Sequence, residues 1–324
     1  MSLYRRGSVG PEVSRIQSRL QELDLYRGPV DGVFGGGTEA AIRNFQEAKR
    51  LGVDGKVGPE TWTALFDGQP IPRPAILDKP LAYRCLALTG AFETDQPPPD
   101  CFCGLSGDFD GQGISFGVCQ WNLGQGSLQP LLQEMDSVHA DVFRRLFGPQ
   151  YTELKQMLAA SRADELAWAR SIQTPKHVLT EPWRGLFKAL GRTEEFQEIE
   201  VKHARSLYAQ ALSLCSAYQV ASARAAALMF DIKVQNGSIS SAVRKQIEDD
   251  FNQIDQSLNA TEIEVARLRI IANRRADAAK PKWREDVRAR KLTIGNGEGV
   301  VHGKFYNLAD DYGITIQAAA AATT

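Results

Sequence analysis

A mainly α protein in two unequal parts is what this 324-residue sequence predicts: a small three-helix bundle, then a larger helical domain with one small β-hairpin set into it. Three observations lead there. A nine-residue frame occurs twice near the start, at 30–38 and again at 53–61. Residues 68–74 carry three prolines, which block regular helix and sheet pairing and make a semi-rigid linker. Beyond them, apolar residues recur at spacings of three and four, and a single glycine-rich stretch interrupts the pattern. The boundaries are therefore 1–67 for the bundle, 68–79 for the linker and 80–324 for the larger domain.

The first helix is expected over 11–23, where Val13, Ile16, Leu20 and Leu23 share one face. The repeated frame, V-D-G-x-[FV]-G-x-x-T, describes a turn feeding a helix. Asp-Gly supplies the tight turn, and Thr38 or Thr61 stands near the helix start. The second helix follows over 39–49 and the third over 60–65. Leu20, Ile42, Phe45, Trp62 and Leu65 are the expected core.

Residues 7–13, Gln17, Leu20, the two frames, Phe45-Gln46 and Thr61-Trp62 closely resemble the peptidoglycan-binding domain of bacterial and phage cell-wall hydrolases. That resemblance implies a three-helix module holding glycan or stem peptide in a shallow groove, with Asp31, Phe34 and Asp54 as candidate contacts.

In the second part, helices are expected over 81–92, 128–134, 140–146, 151–161, 163–171, 180–190, 193–214, 220–236, 239–258, 262–279 and 283–291. The exception is 104–121, glycine-rich and alternating, which reads as the hairpin. Glu93 ends an apolar helix, and Asp110 lies in the glycine turn 17 residues later. Glycosidic hydrolysis needs such a pair, one carboxyl protonated to serve the leaving oxygen and one ionised on the other side. Leu86, Leu88, Ala91 and Phe92 would surround Glu93 with apolar groups and raise its pKa, while glycine amides and solvent would keep Asp110 charged.

Glu93 followed by residues 109–117 is similar to the catalytic segment of the family 46 chitosanases, within the lysozyme-like superfamily, where a helix-borne Glu precedes a G-D-G-x-G-x-T turn. The resemblance implies an inverting glycoside hydrolase with Glu93 as acid, Asp110 as base and Ser115 helping to position the attacking water. It further places Asp231, Arg275, Asp286 and Arg290 in a charged supporting network. Asp286 and Arg290, four apart, share a helix face and can pair, and Asp231 among apolar neighbours needs a partner such as Arg275 or Arg290. Residues 116–120 resemble instead the G-[LV]-x-Q segment of lysozymes and lytic transglycosylases. Gln120, Trp121 and Asn122 are thus candidate sugar contacts, with hairpin packing the alternative for Trp121 and Asn122.

The reading that results is a peptidoglycan hydrolase of the muramidase or endolysin type, acting on β-1,4 bonds between wall amino sugars. Chitosan or chitin cleavage, lytic transglycosylation and non-catalytic wall binding are the alternatives. With 38 Lys+Arg against 39 Asp+Glu, bulk charge draws the chain neither to nucleic acid nor to an anionic membrane. No run of about 18 apolar residues could span a bilayer, and a monomer is expected. The start lacks the apolar core of a signal peptide. Action in the wall or periplasm then calls for release through a holin, delivery by a secretion system, or a leader lost from the sequence. Cys101, Cys103, Cys85, Cys119 and Cys215 lack zinc-ligand spacing, and a disulfide through Cys101 or Cys103 is open. No metal or cofactor is expected, and His139, His177, His203 and His302 receive no role.

Overall fold

The computed structural model describes residues 3–317. The alanine-rich end at 318–324, for which the sequence suggests no function, lies outside the described residues. The chain is mainly α, as expected, and divides into two compact units. One takes the chain up to Arg84 and again from Ala211 onward, and the other is Cys85–Gln210.

The first unit begins with three helices, α1 (Pro11–Glu22), α2 (Gly36–Ala48) and α3 (Pro59–Leu65). Their core holds the anticipated Leu20, Ile42, Phe45, Trp62 and Leu65, and with them Val13, Ile16, Phe34 and Val57, all buried. Gln17 and Gln46 also lie inside, and each closes one copy of the repeated frame. The Gln17 amide donates to Asp31 Oδ1 at 2.8 Å and to the Val33 carbonyl at 3.0 Å, and its oxygen accepts from Gly32 N–H at 2.9 Å. Gln46 repeats this with Asp54 Oδ1 at 2.9 Å, the Lys56 carbonyl at 2.8 Å and Gly55 N–H at 2.9 Å. A buried amide must satisfy both its donors and its acceptor, and the frame supplies every partner. Thr38 and Thr61 hydroxyls also accept from the two amides.

The later part of this unit holds the helices Ala223–Asn236, Ser241–Phe251, Ala260–Asp277 and Arg284–Asn296. An antiparallel hairpin follows, Glu298–Val301 with Lys304–Asn307. This second hairpin was not expected from the sequence. Its turn is His302-Gly303, both at positive φ, flanked by Val300, Val301, Phe305 and Tyr306. It receives the N-terminal module directly: Phe305 N–H donates to the Gly7 carbonyl at 2.9 Å, and the Arg5 guanidinium lies 3.4 Å over the Phe305 ring. Arg84 donates to the Gly313 carbonyl at 2.5 Å in the same unit.

The second unit is built on an aromatic core. Phe116 is stacked on Phe196 at 5.4 Å and meets Phe187 edge-on at 5.3 Å, with Phe143, Phe147 and Trp183 beyond. The helix expected over 193–214 is two helices, Glu194–His203 and Arg205–Ala217. In place of a simple hairpin there are three two-residue strands in antiparallel order: β1 (Leu105–Ser106), β2 (Ser115–Phe116) and β3 (Trp121–Asn122). The helix Leu81–Thr94, here α4, brings Glu93 to the same unit.

Candidate active site

The register of the small sheet sorts its residues by face. Leu105, Phe116 and Trp121 are paired across the strands and share the face that meets the aromatic core, while Ser106, Ser115 and Asn122 share the other. Trp121 is thus a half-buried cover on the core and not a free platform for sugar. Asn122 is buried, and its carboxamide oxygen accepts from Gln125 N–H at 2.8 Å, which commits it to the turn after β3. Ser115 is buried in the middle strand.

Residues 85–92 of α4 are sunk in the interior, and Glu93 is the point where the helix emerges. The apolar enclosure expected for its carboxyl is therefore absent, because its apolar neighbours in sequence point inward and Glu93 is exposed. It lines a cleft of about 550 Å³ together with Thr94, Gln96, Asp100, Gln120 and Arg192. Arg192 holds Asp100 at 2.6 Å. Gln120 takes a left-handed backbone, φ 52°, and its amide is fixed on the Gly117 carbonyl at 2.9 Å and on Ser106 Oγ at 2.8 Å. Among the described residues, the cleft lining contains neither Asp110 nor Ser115.

Asp110 is exposed at the tip of the turn between β1 and β2, where Oδ1 accepts from Gln112 N–H at 3.1 Å. The aspartate that builds this turn is Asp108. It is buried, accepts from Gly113 N–H at 2.7 Å and from Arg170 Nε at 2.6 Å, and its own N–H donates to Gln173 at 2.9 Å. Burial alone would raise its carboxyl pKa; Arg170 and the Gly113 amide more than offset that and hold it below the usual range. The alternation Asp108-Phe-Asp110 was the available signal, one acid turned in and one out.

Sequence reading also missed Glu200. It lies in the helix Glu194–His203, four residues after Phe196 and on the same inner face. It is 0% exposed, with Oε2 accepting from Val118 N–H at 3.0 Å and Oε1 buried without a hydrogen-bond partner. Burial drives its pKa well above the carboxylate range, in favour of the uncharged form. Gly117 makes room for it: φ is +81°, and an added Cβ would come within 2.7 Å of Glu200 Oε1. Glu200 thereby fixes the Gly117–Val118 turn that leads to Gln120. All five cysteines are free, and burial, with nearby Asp100, pushes the Cys103 thiol up to about 12.

The residues expected as a charged network lie in the first unit; Asp231 pairs with Arg290, one of its two expected partners, while Arg275 and Asp286 are placed otherwise. Asp231 is fully buried and accepts from Arg290 Nε at 3.0 Å and Nη2 at 2.6 Å, with Lys291 as its second cation. Burial would raise the Asp231 pKa, but Arg290 and Lys291 pull it down to about 2. Lys291, not Arg275, completes the cluster; the Arg275 Nε is buried with no hydrogen-bond partner. Asp286 faces His302 Nε2 at 2.6 Å, so the four-residue spacing to Arg290 does not define its partner.

In the N-terminal module, Phe34 is wholly buried and cannot touch a ligand. Asp31 and Asp54 are exposed but tied to Gln17 and Gln46. The groove on this module lies elsewhere, about 420 Å³ lined by Ser14, Arg15, Ser18, Arg19, Phe66 and Gln69 among others.

Residues 9–65 match the family model of the peptidoglycan binding domain. The spore cortex-lytic enzyme of Bacillus cereus is 53% identical over 59 residues, 18% of this chain and 23% of that protein. The N-acetylmuramoyl-L-alanine amidase CwlM of Mycobacterium tuberculosis is 44% identical over 57 residues, 18% of this chain and 14% of that protein. The chain thus spans less than a quarter of the length of these relatives. Among solved structures, the native chitosanase from Bacillus subtilis MY002 covers 71% of this chain at 15% identity with a TM-score of 0.43, over 98% of its own length. The Burkholderia AP3 phage endolysin covers 64% at 18% identity with a TM-score of 0.20, over 99% of its own length. Among the described residues no helix is long and apolar enough to cross a membrane.

Proposed function

We propose that this protein is a peptidoglycan glycosidase acting in the bacterial wall or periplasm. Residues 1–67 hold the wall, the segment 68–79 joins them to the rest, and residues 80–324 form a lysozyme-like catalytic domain. The observation that carries the reading is the emergence of Glu93 from a buried apolar helix into a cleft edged by amide and hydroxyl groups, in a chain whose residues 9–65 match a peptidoglycan binding domain. Glu93 gives its proton to the leaving glycosidic oxygen. Asp110 takes the proton of an attacking water that Ser115 helps to position, which inverts the anomeric centre. Binding at the module raises the local concentration of glycan for the cleft.

A second reading, a lytic transglycosylase that uses one acid alone, is favoured by the absence of Asp110 from the cleft lining. Incubation with purified peptidoglycan and, separately, with chitosan, followed by mass spectrometry of the products, tests both. Reducing-end muropeptides are expected; anhydro-sugar ends support the transglycosylase, chitosan-only cleavage supports a chitosanase, and wall binding without any cleavage removes the enzymatic reading.

A further inference from the structure

Phe109 is 69% exposed, the most exposed large apolar side chain among the described residues, and it precedes Asp110 directly. Isolated exposed apolar residues are common and need no explanation. This one is not isolated. Its ring meets the His177 imidazole at 5.2 Å with the planes at 57°. His177 is held there by a built loop. Its backbone is left-handed, φ 57°, its N–H donates to the Thr174 carbonyl at 2.9 Å, and Thr174 closes the loop on Val178 at 2.8 Å. Gln173, beside that loop, reaches the turn at both ends, accepting from Asp108 N–H at 2.9 Å and donating to the Gly113 carbonyl at 3.3 Å. Gly107 lies so close to the His177 carbonyl that any side chain there would collide with it. A non-glycine residue in the left-handed region is sustained only where its surroundings over-determine it, and here they fix an imidazole against an exposed phenyl ring. In the G-D-G-x-G-x-T frame that this segment resembles, Phe109 stands at the first glycine, where the turn itself requires no ring.

We infer that Phe109 and His177 form an aromatic platform beside Asp110 that receives the C–H face of a pyranose ring of the glycan strand, making Phe109 a specificity-determining residue. The inference rests on the glycosidase reading and extends it. A pyranose presents axial C–H bonds on one face and hydroxyls around its rim, which suits an apolar ring flanked by polar groups. Arg170, exposed, and Gln173, half-buried, provide that flank. A strand seated there would run past the carboxylate of Asp110.

Isothermal titration of the full-length Glu93→Gln protein with a GlcNAc–MurNAc tetrasaccharide tests this, with Phe109→Ala, Phe109→Trp and His177→Ala added singly. Phe109→Ala is expected to weaken binding about tenfold, the order of one lost apolar ring contact. Phe109→Trp should keep it, and His177→Ala should cost a few-fold. On the wild-type background Phe109→Ala should raise KM and leave kcat within about twofold. Unchanged affinity in Phe109→Ala, or no binding by the parent, overturns the platform. If wild type releases no sugar from peptidoglycan while the tetrasaccharide still binds through Phe109, the glycosidase reading fails and the platform stands.

Discussion

Asp31 and Asp110 occupy turns of the same chemistry, an Asp-Gly pair whose carboxylate accepts the N–H two residues on, Val33 in one case and Gln112 in the other. They differ in what else reaches the carboxylate. In the module, a helix-borne glutamine captures Asp31, and its copy captures Asp54, so both acids are spent on structure. In the second unit the glutamine that arrives, Gln173, bonds the backbone of Asp108 and Gly113 and not the Asp110 carboxylate. Asp108 takes the structural work two residues earlier, and Asp110 is left with oxygen atoms facing solvent. The same dipeptide is thus a rivet in one place and a solvent-facing carboxylate in the other, and what separates them is a side chain from a distant helix.

The comparison can be broken at the chemical end first. Glu93→Gln should lower wall lysis by at least about 10³-fold, judged by turbidity of purified walls, with the thermal midpoint unchanged because the residue is exposed. Asp110→Asn should follow, down about 10²-fold with an unaltered unfolding curve; full activity there, beside a dead Glu93→Gln, would favour the one-acid transglycosylase. Asp108→Asn should show the reverse. It loses about 1–3 kcal/mol in urea unfolding, because the Gly113 amide and Arg170 lose a charged acceptor, and activity falls only as far as the folded fraction does. In the module, Gln46→Ala should cost a comparable 1–3 kcal/mol by stranding Gly55 N–H and the Lys56 carbonyl, and Gln17→Ala the same, both read by calorimetry as lost wall binding on warming.

The smallest effect is a pH dependence. Glu200 has a folded pKa raised well above its unfolded value. Its contribution is therefore fully present below about pH 4.3, the unfolded value, and is lost as pH rises through the folded pKa. Glu200→Gln keeps a neutral donor and acceptor and should flatten the fall of the thermal midpoint toward alkaline pH. Parallel curves for the two proteins would remove the claim that burial raises the Glu200 pKa.

How far the sequence was readable follows from the same contrast. The repeat and the three-four spacing carry the module core and the mainly α class because they are local signals. The second hairpin at 298–307 was hidden by its short strands beside a long helix. Glu93 was recognisable, but its surroundings were not, since apolar neighbours in sequence on a helix say nothing of which side meets solvent at its last turn. Phe34 read as a contact and is core; Lys291 read as nothing and binds Asp231. Both are decided by tertiary neighbours. Gln17 and Gln46 stood in the recognised frame without a role, and Glu200 was one acid among many until Phe196 showed which face was inside.

The paired glutamines also bear on how the chain comes to be folded. Each closes its own turn across 8 to 21 residues, distances that a chain explores in well under a microsecond. The bonds from Gly7 to Phe305 and from Arg84 to Gly313 have their second partner near the end of the sequence and cannot form until synthesis is almost complete. The module should therefore acquire its shape while the rest is still emerging, and wait for its last partner. A fragment ending at Gln69 should then melt cooperatively on its own, below the temperature of the complete protein; a fragment that remains unfolded would show that the late hairpin is needed to nucleate the early helices.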